Sequence, residues 1–276
     1  MTVKRRAALF VVLVALAGPA LAQRQPADQF HAGTLMFSPE EEALYLKRFE
    51  QGQAGQRNTA DEAYDPQDTV PGAANPKPLP MASSAERTIS DQALAAATAY
   101  AAANNSNAFM VWRKGRLEAE AYFGDHTRDT SVISRSLAKP VTAAVVGRAI
   151  ALGHIKSLDQ PVADFVEEWK GDARRSKILV RHLLDMRTGF LPQALAPKPE
   201  DILNRSYLHP RHDEIIVREY PVVDEPGTRY EYNNATSEMV AVLIERATQR
   251  RYAEFVGNEV WARIGAPGGT VWVNRP

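Results

Sequence analysis

The sequence predicts an α+β protein, and three observations carry that reading. An alanine-rich helical stretch with a serine start signal is followed directly by a hairpin pattern, and a run of apolar-periodic helical segments fills the second half of the chain.

In chain order, Lys4, Arg5 and Arg6 precede an apolar run from Ala7 to Ala17, then Gly18, Pro19 and the small-residue pattern Ala20-Leu21-Ala22. This is the form of a secretory signal peptide over residues 1–22, too short to cross a bilayer, where about 20 apolar residues are needed. An exported protein without a stable membrane anchor is expected. Residues 23–89 read as an N-terminal extension, partly irregular. Ser38-Pro39-Glu40-Glu41 starts a short helix that reaches about Phe49, and Gln51 to Pro80 has little apolar periodicity. Ser90 caps a helix to about Ala103. Ala108 to Trp112 and Arg116 to Phe123, separated by Arg113-Lys114-Gly115, form the hairpin. Helical segments follow at Ser136–Gly153, Val162–Trp169, Leu179–Met186, Ala235–Thr248 and Tyr252–Ile264. One short strand fits around Thr270 to Val273, which leaves the hairpin as the whole sheet, a marginal arrangement.

Composition bounds the chemistry. The 276 residues are 45% hydrophobic and 24% charged, with 33 basic and 33 acidic side chains, so no field of one sign is available to hold nucleic acid. There is no cysteine, which removes disulfides, thiolate nucleophiles and thiolate metal sites together. Oxygen and nitrogen groups must do any chemistry.

Ser136-Leu137-Ala138-Lys139 opens the longest of the middle helices, and the spacing of three puts hydroxyl and amine on one face, one turn apart. A base beside a hydroxyl makes a nucleophile, and a helix start favours developing negative charge. The apolar Val141, Val145 and Ile150 suit the desolvated setting that keeps a lysine neutral. Alone the motif is weak. The second element is Tyr232-Asn233-Asn234 before an apolar helix, where a phenol and an amide could face the serine. A structural tyrosine at Tyr232 and a helix N-cap at Asn234 are the alternative readings.

The pairing of Ser136-Leu137-Ala138-Lys139 with Tyr232-Asn233-Asn234 resembles the serine β-lactamase and penicillin-binding family, in the branch of class C β-lactamases, related esterases and 6-aminohexanoate-dimer hydrolases. Ile155 to Val162, Arg181 to Phe190 and Pro226-Gly227-Thr228 read like that family's connecting segments. The resemblance implies a β-lactamase/transpeptidase-like fold over residues 90–276, an antiparallel sheet with flanking helices and a helical subdomain. It implies Ser136 as acylated nucleophile, Lys139 as its activating base, Tyr232 as proton relay and Asn234 as substrate-amide or lysine-positioning ligand. The implied reaction is acyl transfer from a small amide, ester or peptide to water, with no metal or organic cofactor. The family's third motif, a Lys-Thr-Gly or His-x-Gly strand, is absent, since Gly268-Gly269-Thr270 follows Tyr232 too closely. The expectation is therefore a chain incomplete at its C-terminus, lacking sheet strands and one oxyanion donor whose loss costs about 100- to 1000-fold in rate. The rival reading is a non-catalytic remnant that binds a peptide or peptidoglycan fragment. Pro140 restricts Lys139 in the first helical turn.

Other groups carry plainer expectations. His209-Pro210-Arg211-His212-Asp213-Glu214 reads as a solvated loop rather than a metal site, Arg174-Arg175 and Glu40-Glu41-Glu42 as solvated charge, and Trp112 and Trp169 as core aromatics.

Overall fold

A computed structural model describes residues 35–53, 66–194 and 198–272. The signal-peptide reading of residues 1–22 lies outside them. The elements, in order, are α1 (Pro39–Gln53), β1 (Gln67–Val70), α2 (Asp91–Ala103), β2 (Ala108–Arg113), β3 (Arg116–Tyr122), α3 (Lys139–Ala151), α4 (Val180–Leu184), α5 (Ile202–Leu208), α6 (His212–Arg218), α7 (Asn234–Thr248), α8 (Tyr252–Val256) and β4 (Gly269–Trp272). Short 3-10 turns fall at Arg135–Ala138, Val162–Asp164, Glu167–Trp169 and Arg175–Lys177, and a π-helical turn at Gly257–Trp261 continues α8.

Two helix starts form as their side chains dictate. At α1 the Ser38 hydroxyl accepts from the Glu41 N–H while the Glu41 carboxylate accepts from the Ser38 N–H, a reciprocal capping box. At α2 the Ser90 hydroxyl accepts from the Ala93 N–H. The β2–β3 hairpin turns through Lys114 and Gly115, both at positive φ (48° and 79°), the geometry that matches strand twist in a two-residue loop. Glu118 on β3 is buried and accepts from the Thr88 N–H, the Thr88 hydroxyl and the Ile89 N–H. Backbone bonds from Ala82 to Leu117 and from Leu117 to Pro80 cover the hairpin's outer edge. Trp112 is 51% exposed, because a bulge between Val111 and Trp112 shifts the register. The core-aromatic expectation fails there and holds at Trp169, which is fully buried and donates to the Val217 carbonyl.

The hairpin is the whole of its own sheet, and β1 and β4 form a second, separate two-stranded sheet. β1 pairs with β4 in antiparallel register, from Gln67 opposite Trp272 to Val70 opposite Gly269. Arg251 fixes this ribbon through Asp68 at 2.8 Å. The main core is helical: Val145, Val146 and Ala149 of α3 pack with Leu183, Ile202, Ile215 and Ile216, with Met239, Leu243 and Ile244 of α7, and with Phe255. Trp169, Phe190 and Tyr220 join it, with ring centroids 6.1 and 5.3 Å apart.

α1 docks on α5 and α6 by charge, so the acidic triplet is not merely solvated. Arg205 forks onto Glu42 at 3.0 and 2.7 Å, and Arg211 reaches Glu41. Arg48, also buried, donates to the Leu208 carbonyl. His209 and His212 are buried too, with His212 opening α6, which overturns the solvated-loop reading. Burial, with Arg205 nearby, pushes the His209 imidazole down to about 4. Arg175 likewise turns inward, donating to the Tyr220 carbonyl. Glu42→Ala is expected to cost about 1–2 kcal/mol in urea unfolding, since it strips a half-buried Arg205 of two charge-assisted bonds.

Candidate active site

The site gathers where α3 begins beside the start of α7. Ser136 lies in the 3-10 turn that leads into α3, not in the helix itself, and Arg135 before it has φ of 51°. That left-handed residue turns the chain just ahead of Ser136, which is exposed. Lys139 starts α3 one turn later, and Pro140 sits where a missing N–H goes unnoticed.

All four expected residues come together. Lys139 Nζ is 3.2 Å from Ser136 Oγ and 3.0 Å from Asn234 Oδ1. The Tyr232 hydroxyl is 2.6 Å from Ser136 Oγ, and Lys139 Nζ lies 4.9 Å from the centre of the Tyr232 ring. The desolvated setting is not found. Lys139 is only half-buried and Tyr232 is 41% exposed, because the buried side chains of α3, Val145, Val146 and Ala149, lie further along the helix. Burial raises the Tyr232 phenol, but hydrogen bonds to Ser136 and Lys139 and the nearby positive charge lower it by more, so it ionises below the ordinary tyrosine range.

The Tyr-x-Asn order places these groups by capping. Asn233, not Asn234, is the N-cap of α7: its side-chain oxygen accepts from the Thr236 N–H. Its amide donates to the Leu191 carbonyl and to the Tyr220 hydroxyl, which also bonds Leu191. Burial pushes the Tyr220 phenol up to about 12, so it stays a donor. With Asn233 pinned, its two neighbours project on either side, Tyr232 to the serine and Asn234 to the lysine. The connecting segments build the seat. The Glu231 N–H donates to the Met186 carbonyl, Gly227 to Arg187 and Leu191 to Pro221. Gly189 is required at its position: at φ of 77° an added Cβ would lie 2.2 Å from the Asp224 carbonyl oxygen.

Sequence reasoning missed two groups here. Gln193 Oε1 accepts from the Asn234 N–H, and no pattern singles out a glutamine in a loop. The second is a cleft of about 540 Å³ that runs from Ser136, Lys139 and Asn234 to Tyr207, Glu238 and Trp272. Among the described residues no group of three or more His, Cys, Asp or Glu side chains could hold a metal, and no helix is long and apolar enough to cross a membrane.

The β-lactamase family model matches residues 93–276. A 6-aminohexanoate-dimer hydrolase from Paenarthrobacter ureafaciens is 25% identical over 171 residues, covering 58% of this chain and 43% of the relative. A Bacillus anthracis structure assigned as a 6-aminohexanoate-dimer hydrolase superposes with a TM-score of 0.60 at 21% identity, over 75% of this chain and 58% of that one. A Bacteroides dorei structure assigned as a β-lactamase gives 0.54 at 25% identity, over 64% and 52%. The chain thus spans less than half the length of the curated relative. The α+β architecture is the β-lactamase/transpeptidase-like fold.

Proposed function

Because the chain belongs to the β-lactamase family, we propose that it is a serine hydrolase that opens an amide or ester through an acyl-enzyme. Ser136 is the nucleophile, Lys139 and Tyr232 take and return its proton, and Asn234 orients Lys139 and meets the substrate amide. The observation that carries this reading is the convergence on one oxygen, with Lys139 Nζ 3.2 Å and the Tyr232 hydroxyl 2.6 Å from Ser136 Oγ. Each is within reach of the proton that must leave.

In acylation the Ser136 oxygen bonds to the substrate carbonyl carbon and its proton passes to Lys139 or Tyr232. The bond from that carbon to the leaving amine or alcohol then breaks, and the leaving group departs with the proton. Water next attacks the new ester, gives its proton to the same pair, and Ser136 recovers a hydrogen as the acid leaves. These steps ask for no metal or organic cofactor. A linear amide of the 6-aminohexanoate class is the proposed substrate, by likeness to the Paenarthrobacter ureafaciens relative.

The test is intact-mass spectrometry and peptide mapping after exposure to an activated ester, a phosphonate and a penicillin. An added acyl mass from the ester or the penicillin, or a phosphonyl mass from the phosphonate, is expected on the peptide bearing Ser136. Its rate is expected to climb with pH and to level off below about 10, the ordinary tyrosine value, because the Tyr232 phenol is lowered. A folded protein that never acquires mass at Ser136 overturns the reading in favour of a binding remnant.

A further inference from the structure

We propose that Arg48 of α1 is a positioning residue for the Ser136 cleft: it clamps the Trp272 indole, so that a helix lying before the family match holds one wall of the active site. This rests on the hydrolase reading above and concerns how the chain builds that site.

The family match begins at residue 93, and α1 and β1 precede it. Both nevertheless reach the cleft. Gln67, the first residue of β1, lines it, and so does Trp272, its register partner at the end of β4. The ribbon they belong to has two strands of four residues, which is too small to be rigid by itself. A wall made from its end residue therefore takes its position from the side chains that grip it.

Three groups grip the indole. Tyr207 of α5 meets it edge-on and His212 of α6 tilts against it, each at 5.8 Å between ring centroids. The Arg48 guanidinium lies 4.9 Å from the ring centre. Arg48 is 1% exposed, and a guanidinium is expensive to bury unless its donors and its face are used. Its Nη1 donates to the Leu208 carbonyl at 3.0 Å, next in the chain to Tyr207, so one cation ties the end of α5 to the indole. Burial strengthens the attraction of a cation to an aromatic face. The helix that carries Arg48 is itself anchored. Glu42, Tyr45 and Arg48 recur at every third position of α1, where residues share a side. Glu42 accepts the Arg205 fork, and the Tyr45 hydroxyl donates to the Pro199 carbonyl. Ser136, Lys139 and Tyr232 stand on other elements, at the starts of α3 and α7. Loosening the indole should therefore weaken binding in the cleft and spare the reacting groups.

The experiment is hydrolysis of 4-nitrophenyl phenylacetate, an uncharged ester with a ring on each side of its carbonyl, so that one ring meets the far wall in either orientation. Arg48→Met keeps a long stem and removes the cation. It is expected to raise the half-saturating ester concentration about five-fold or more, the worth of a desolvated cation on a ring, and to leave the saturating rate within about two-fold. Arg48→Lys returns a cation and should bring the half-saturating concentration back to within about two-fold of the parent. Trp272→Leu should raise it as Arg48→Met does, and combining the two should add less than about two-fold, since the clamp has nothing left to hold. Fluorine NMR of the 5-fluorotryptophan protein reads the ring directly. The Trp272 line, assigned by its loss in Trp272→Leu, should shift in Arg48→Met while the line of the core residue Trp169 stays. Where Arg48→Met does not fold, the Trp272 line must shift in Arg48→Lys, because an ammonium does not cover the indole as a guanidinium plane does. A saturating rate that falls with half-saturation unchanged, an Arg48→Met penalty undiminished in the Trp272→Leu background, or an unmoved Trp272 line overturns the proposal. Trp272→Leu leaves position 48 intact, so an unchanged half-saturating concentration in that variant overturns it whatever the Arg48 variants do. If the parent releases no nitrophenolate, or Ser136→Ala releases it as fast, the hydrolase reading falls and the fluorine line alone decides the clamp.

Discussion

Lys139→Met is expected to slow acylation of Ser136 by about 100- to 10,000-fold, the usual worth of a positioned proton-transfer group. Methionine keeps the length of the lysine stem and its packing at the start of α3, but removes the nitrogen that lies 3.2 Å from Ser136 Oγ and 3.0 Å from Asn234 Oδ1. Asn234 loses a partner in a cleft that water reaches, so thermal stability should change little. Lys139→Arg is expected to fail almost as badly, since a guanidinium stays charged and its planar fork does not fit one oxygen. Adduct formation followed by mass spectrometry gives the rates. Tyr232→Phe should also slow the step, and the double variant should be no worse than the product of two independent losses would suggest, because both groups act on one oxygen. A parental rate in Lys139→Met would show that Tyr232 alone serves the serine.

The four groups of the site were legible because each sits on a local signal. Ser136 and Lys139 are one turn apart, and Tyr232 and Asn234 flank a helix start. What a sequence could not decide was which asparagine caps α7. Both Asn233 and Asn234 qualify by type, and the choice falls to Asn233 because Leu191 and Tyr220, 42 and 13 residues away, offer its amide buried partners. The setting of the lysine was misjudged for a related reason. Apolar residues on α3 do bury, but they face the helical core beyond the first turn, and Ser136 and Lys139 stand at its rim.

Local signals also account for which parts of the fold were visible. The capping box at Ser38, the cap at Ser90 and the glycine turn at Gly115 act within four residues and form as expected. β1 and β4 are four residues each and their partners lie about 200 positions apart: β4 is legible as the short strand expected around Thr270 to Val273, while β1, in a stretch with little apolar periodicity, is not. α5 and α6 are seven residues each with Pro210 between them, and His209 to Glu214, which spans their junction, reads as loop. Their stability comes from packing against α7 and from Arg205 and Arg211 reaching the α1 carboxylates, which no propensity encodes.

Gly189→Ala is expected to lower stability by more than about 3 kcal/mol, while Gly171→Ala costs about 1–2 kcal/mol. Both glycines have positive φ, 77° and 82°, so the backbone penalty for a side chain is shared. They differ in what a Cβ meets: nothing within 4 Å at Gly171, but the Asp224 carbonyl oxygen at 2.2 Å and its carbon at 2.9 Å at Gly189. Backbone cannot swing aside as a side chain can, and Gly189 holds this contact through its own carbonyl, which accepts from Val223 and Asp224. At about 2–4 °C per kcal/mol for a chain of this size, the melting temperature should fall by about 10 °C for Gly189→Ala and by about half that or less for Gly171→Ala. Acylation separates them further. The strand-like contact at Gly189 leads into Leu191 and Gln193, which hold Asn233 and the Asn234 N–H, so shifting it should unseat Tyr232 and Asn234 together. Gly171 lies on an exposed turn away from the cleft and should acylate at the parental rate. Equal losses in the two variants would mean that the strain at φ, not the close approach of Gly189 to Asp224, is what glycine relieves there.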